Sequence, residues 1–90
     1  GYTAVVTAAG TTTLTATSTY YQNFTGTLTQ TVKLPDETTI PIGVAYVIDN
    51  DSTGNVTVQD SGGTTLAIVT SGMAGYIYSA SNATATGNWN

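Results

Sequence analysis

The chain contains no cysteine and no histidine, and Lys33 is its only basic side chain. Without cysteine there is no disulfide framework and no thiolate zinc site. Without histidine the commonest general base and the commonest metal ligand are missing as well. One lysine against five Asp and Glu gives a formal net charge of -4. Neutralising phosphates takes several Lys or Arg, so nucleic-acid binding and attraction to an anionic membrane surface are excluded as functions. Long apolar runs are absent too: the longest, Val44 to Ile48, is far short of the roughly 20 residues that cross a bilayer. With one Lys, one Glu and no Arg, the solvent face of an amphipathic helix could not be built in the usual way. The chain opens on Gly1 with neither a charged n-region nor an apolar h-region. It is therefore expected to be a processed chain or a piece of a longer one.

What remains is rich in threonine, 21 of 90 residues, with valine, isoleucine and six tyrosines beside it. β-Branched and aromatic side chains lose less on a strand than on a helix, so this composition predicts an all-β chain. Ninety residues suffice for one domain, 1–90, with one modest core that buries roughly 60% of the unfolded surface.

Period-two alternation recurs in short segments between Gly, Asp, Asn, Pro and Ser clusters, and no stretch shows a helical period. Strands are expected over Tyr2–Thr7, Thr11–Ser18 and Gly26–Leu34, with Tyr20 to Phe24 as a connector. In the third strand Leu28, Val32 and Leu34 share a face; the second has only Leu14 as a large apolar residue and is expected to be exposed or paired with another chain. Pro35 ends the pairing for want of an N–H, and the stretch to Gly43 reads as a structured crossover in which Ile40 and Ile42 plug the core. Val44–Asn50 is apolar on both faces, as a central strand would be. Asp51–Gly54 then predicts a hairpin into Val56–Gln59. Further strands are expected at Leu66–Val69, Gly75–Ser79 and around Trp89. No internal repeat is evident. The expected architecture is an antiparallel β-sandwich or short barrel of about seven or eight strands.

The run Gly26-Thr27-Leu28-Thr29-Gln30-Thr31-Val32-Lys33-Leu34-Pro35, the pair Ile42-Gly43, the segment Tyr46 to Gln59 and the late Trp89 resemble a β-domain that recurs in tail-fibre-like and other appendage proteins of bacterial viruses. Gly1-Tyr2-Thr3, Ala8 to Leu14 and Phe24-Thr25-Gly26 fit the same pattern. These are turn and strand signatures, so the resemblance implies architecture and location and no chemistry. It implies an extended, mostly trimeric assembly whose modules are structural or touch a host glycan or protein.

Four groups of residues invite a chemical reading. Asp49-x-Asp51-x-Thr53-Gly54 with Asp60 has the outline of a calcium loop, but Val56 and Val58 demand a strand where the loop would still be winding, so a hairpin turn is favoured and no metal is expected. Asp36 and Glu37 are adjacent, and neighbours on an extended chain point apart, which is wrong for a pair acting across one bond. No nucleophile elbow or phosphate loop is present, so no catalytic residue and no cofactor are expected. Tyr20, Tyr21, Tyr76, Tyr78 and Trp89 are the candidate glycan or interface contacts, since aromatic rings combine apolar area with polar edges. The Asn-x-Ser/Thr triplets at Asn23, Asn50, Asn55 and Asn82 exceed the roughly two that this many Asn, Ser and Thr give by chance, an excess that decides little.

The sequence thus predicts a non-enzymatic module of a virion or extracellular appendage that self-associates through β-rich interfaces, as a homotrimer. The alternatives are a filament subunit donating Thr3–Ser18 to its neighbour by strand addition, and a glycan-binding β-sandwich.

Overall fold

The computed structural model describes Gly1–Asn90. Nine strands form two sheets: β1 Tyr2–Val6, β2 Thr11–Thr13, β3 Tyr21–Thr25, β4 Gln30–Lys33, β5 Ala45–Asn50, β6 Val56–Gln59, β7 Thr65–Val69, β8 Ala74–Ser81 and β9 Asn88–Trp89. One sheet has the order β1-β3-β5-β8-β9 and the other β2-β4-β6-β7. The chain alternates between them through its first six strands, and β1, β3 and β5 pair in parallel, as do β2, β4 and β6. Only β7, β8 and β9 pair antiparallel.

The all-β expectation holds, but the sheets are mixed and the connectivity is that of a coil, not of an antiparallel sandwich or a closed barrel. Three turns of chain stack on one another, each laying one strand in each sheet. Tyr2 aligns with Tyr21 and Thr11 with Thr31, while Tyr21 aligns with Val47 and Thr31 with Thr57. A structural repeat of 19 to 20 residues is therefore followed by one of 26. The longer turn accommodates the crossover after Pro35, which contains a short 3-10 turn, Glu37–Thr39, capped by Asp36.

Each turn of the coil is fastened to the next at its corners. Ala9 N–H donates to the Thr29 carbonyl at 2.9 Å and Thr31 N–H to the Gly10 carbonyl at 2.9 Å. One turn further on, Asp51 N–H donates to the Phe24 carbonyl at 2.8 Å and Thr53 N–H to the Gly26 carbonyl at 3.0 Å. Polar side chains turned inward complete these corners: Gln30 accepts from Ala8 N–H at 2.8 Å and donates to Thr12 Oγ1 at 3.0 Å. Gly54 is required at its corner because a Cβ there would lie 2.4 Å from the Leu28 carbonyl oxygen on the turn below.

The core lies between the sheets and consists of Leu14, Phe24, Val32, Leu34, Tyr46, Ile48, Val56, Val58 and Val69. Fully burying a Val, Leu, Ile or Phe stabilises by about 1.5–3 kcal/mol, so these few side chains hold most of the fold.

Several local expectations are corrected. Tyr20 to Phe24 is not a connector: Tyr21–Thr25 is β3, second from the edge of the larger sheet. Val44–Asn50 and Val56–Gln59 do not form a hairpin, because Asn50 and Ser52 turn the chain from one sheet into the other. The hairpin comes one strand later, β6 to β7. The strand expected over Thr11–Ser18 is only Thr11–Thr13, and it pairs within the chain. Ile40 is buried, whereas Leu28 and Ile42 are exposed. The expectation of β5 as central is met, since it lies in the middle of the five-stranded sheet.

Candidate functional site

The outward face of the five-stranded sheet gathers most of the chemistry the chain owns. Parallel register sets Tyr2 beside Tyr21 and Ala4 beside Asn23, then Tyr21 beside Val47 and Asn23 beside Asp49. Antiparallel pairing adds Tyr76 next to Val47 and Tyr78 next to Ala45. Because side chains alternate across a strand, these residues form rows on one face. The Tyr2 and Tyr21 rings stack with centroids 5.4 Å apart and planes at 21°. Tyr76 and Tyr78 meet at 6.2 Å and 47°.

Beside the rings lies a polar cluster. Tyr21 O–H donates to Asp49 Oδ2 at 2.5 Å. Asn23, itself buried, accepts from Tyr2 O–H at 3.1 Å and donates to Asp51 Oδ2 at 2.7 Å and to Asp49 Oδ2 at 3.3 Å. Bonding to Asp49, reinforced by the charges of Asp49 and Asp51, pushes the Tyr21 phenol up to about 12. Asp49 on β5 and Asp51 just past its end are brought together by the Asn23 amide, which donates to both. Such a face can stack a ring, accept hydrogen bonds from hydroxyls or amines, and repel anions.

Of the five aromatic residues singled out in the sequence, Tyr21, Tyr76 and Tyr78 stand on this face. Tyr20 is exposed just ahead of β3. Trp89 does not join the platform: it packs on the core at 6.2 Å from the Tyr46 ring. Sequence reasoning missed Tyr2 and Asn23, and it read Asp49 and Asp51 as turn residues. The available signal was the 19-residue spacing of Tyr2 and Tyr21, which matters only once the coil is recognised.

The calcium outline is dispersed. Asp49 lies on β5 with Asp51 just past its end, whereas Asp60 turns into the β6–β7 hairpin and accepts from Gly62 N–H and Thr64 N–H at 2.9 and 3.0 Å. Asp36 caps the 3-10 turn, and its bonds from Thr38 hold its carboxyl below the ordinary range. Glu37 is fully buried; it accepts from the Ser79 hydroxyl, and its second oxygen has no partner. Among the Asn-x-Ser/Thr triplets, Asn23 and Asn50 are buried and Asn82 donates to the Ile40 carbonyl at 3.0 Å, while Asn55 is exposed.

No protein-family model, no curated protein and no solved structure matches this chain.

Proposed function

We propose that this domain is a structural and adhesive module of a bacteriophage tail fibre or other virion appendage, non-catalytic, and assembled side by side as a homotrimer. The observation that carries the reading is the outer face of the five-stranded sheet. Tyr2, Val6 and Tyr76 are each more than 60% exposed there, a density of bare apolar and aromatic side chains that favours contact with sister chains. The turn and strand signatures of Gly26–Pro35 and Tyr46–Gln59 support the same assignment. So does the low charge, which leaves threonine hydroxyls as the main solubilising groups. Assembly also adds stability that a core this small lacks.

The test is the mass in solution. Three copies of a 9.2 kDa chain are expected in sedimentation equilibrium. An open, concentration-dependent series would favour the filament alternative, and a strict monomer would overturn both.

A second reading, glycan binding, is favoured by one observation: the Tyr2–Tyr21 stack bonds to Asp49 and Asn23, and Asn23 in turn holds Asp51 beside Asp49. Stacking on a sugar face with carboxylates accepting from its hydroxyls is a recurrent mode of carbohydrate contact. Binding on a glycan array, lost on Tyr2→Ala, would support it.

A further inference from the structure

Tyrosine is the main oxidisable side chain here: there are six, against no cysteine or histidine, one methionine and one tryptophan. Trp89 packs on the core and Tyr46 is buried in it. Of the tyrosines outside the core, two pairs are in ring contact. Parallel register holds Tyr2 and Tyr21 side by side on β1 and β3 with centroids 5.4 Å apart and planes at 21°, whereas Tyr76 and Tyr78 meet at 6.2 Å and 47°. The pairs differ in their partners as well. Tyr21 O–H donates to Asp49 Oδ2 at 2.5 Å, while the Tyr78 hydroxyl accepts from the Asn90 amide at 3.1 Å.

We propose that Tyr2 and Tyr21 are a site of oxidative cross-linking, joined through their ortho carbons as dityrosine by an external one-electron oxidant of the peroxidase type, with Asp49 as proton acceptor. As Tyr21 gives up an electron, its phenolic proton passes along the existing hydrogen bond to Asp49, so no phenol radical cation has to form. Prior ionisation is closed near neutral pH, because this phenol keeps its proton up to about 12. Tyr2 is 62% exposed and donates to the Asn23 amide oxygen at 3.1 Å, so its electron goes to the oxidant and its proton to water. The two phenoxyl radicals couple, forming one carbon–carbon bond, and the ring hydrogens displaced there restore both hydroxyls by tautomerisation. In sum the pair loses two electrons and two protons, which reduce one hydrogen peroxide to two waters.

The fold supplies the approach that such coupling needs. Two radicals held on neighbouring strands meet at an effective concentration far above that of radicals on separate chains. Both hydroxyls are anchored in one network, Tyr2 to Asn23 and Tyr21 to Asp49, and Asn23 itself donates to Asp49 at 3.3 Å, so the stack is held at its polar ends. β1 is an edge strand with a ladder partner on one side only. The new bond ties it to the next turn of the coil and closes a loop from Tyr2 to Tyr21, which stabilises by restricting the unfolded chain. The reaction belongs to the single chain before assembly, since a sister chain seated on this face would shield Tyr2, and it rests on neither the trimer nor the glycan reading.

The test treats the intact chain, at high dilution, with a haem peroxidase and one equivalent of hydrogen peroxide. The expected product is a single chain lighter by two hydrogens, with the blue fluorescence of dityrosine, whose digest joins the Tyr2 peptide to the Tyr21 peptide. It should unfold at a higher urea concentration than the unlinked chain. Tyr2→Phe and Tyr21→Phe should each abolish this link. Asp49→Asn can still accept the Tyr21 hydrogen bond but cannot keep the proton, so it should form the link at least about tenfold more slowly, with the near-ultraviolet circular dichroism of the stack unchanged. Three results would overturn the proposal. Linkage of Tyr76 to Tyr78 as readily as of Tyr2 to Tyr21 would mean that exposure alone decides. Linked dimers whose yield rises with protein concentration would mean contact between chains. Asp49→Asn reacting at the parental rate would mean that the carboxylate takes no proton.

Discussion

Tyr21 on β3 donates its phenolic hydrogen to Asp49 on the neighbouring β5, at 2.5 Å. The bond links two successive turns of the coil on their outer face, and it sets the protonation chemistry of the cluster. A phenol beside a carboxylate resists ionisation because the phenolate would lose its acceptor and face a like charge. Tyr21 therefore titrates near 12 where an isolated tyrosine titrates near 10.0. Its folded pKa is raised above its unfolded value, so the stabilisation is fully present below pH 10 and is lost as pH rises through about 12. Spectrophotometric titration should find one late phenol, and Asp49→Asn should return it toward 10.

Asn50 should be the costliest polar residue to remove. It is fully buried, and its amide donates to the Gly54 and Val69 carbonyls, both at 2.8 Å, while its oxygen accepts from Ser52 N–H at 3.0 Å. Asn50→Ala strands these groups at the corner where the chain passes between sheets. A buried group left without its partner costs about 1–3 kcal/mol, so a loss of roughly 3 kcal/mol or more is expected in urea unfolding. Ser52→Ala, which leaves the amide contacts in place, should cost clearly less.

Ile48 gives the apolar counterpart. It is 1% exposed in the middle of the central strand and also lines an apolar groove beside Trp89. Ile48→Ala should destabilise by about 2–5 kcal/mol, and Ile48→Val by about 0.5–1.5 kcal/mol. A smaller loss for the alanine variant would mean that the groove lets the core collapse around the gap.

These residues also explain how far the fold could be read from sequence. Alternation of Val56, Val58, Tyr46 and Ile48 announces strands correctly, because period two depends only on which side chains are hidden. It says nothing about which strands pair. An antiparallel hairpin and one corner of a coil both place two alternating segments around a polar turn, and Asp51–Gly54 is compatible with either. The decision rests on Asn50, whose side chain bonds Gly54 and Val69 and so swings β6 into the opposite sheet. The repeat was hidden because its inward polar residues, Gln22, Gln30 and Asn50, break the hydrophobic pattern, and because the second turn is longer than the first. Tyr76 and Tyr78 could be placed on one face because alternation fixes facing, whereas Tyr21 could not while Tyr20 to Phe24 read as a connector. Tyr2 and Asn23 could not, since their neighbours come from strands 19 and 26 positions along the chain that pair only in the coil.

The closing segment supplies the last test. Gly87 lies at φ +58, and a Cβ there would fall 1.3 Å from Glu37 Oε2 and 2.6 Å from the Ser81 carbonyl oxygen. Glu37 is fully buried, with Ser79 as its only side-chain partner, and its backbone N–H donates to the Ala85 carbonyl at 2.9 Å. The crossover from β4 to β5 and the β8–β9 hairpin are thus locked together through one carboxyl group. Gly87→Ala cannot be absorbed by small shifts, because backbone and a buried side chain both occupy the space. The left-handed conformation adds roughly 1–2 kcal/mol for a non-glycine residue. The variant should melt lower, with early loss of Trp89 packing seen as a red shift of its emission. Glu37→Gln keeps the volume and an acceptor for the Ser79 hydroxyl while removing a charge that no cation neutralises. It should therefore match or exceed the parent in stability. Glu37→Ala leaves a hole and an unpaired Ser79 hydroxyl, and should fall below both. If glutamine proved as damaging as alanine, the charge itself would be required at this position and the lock would need a different explanation.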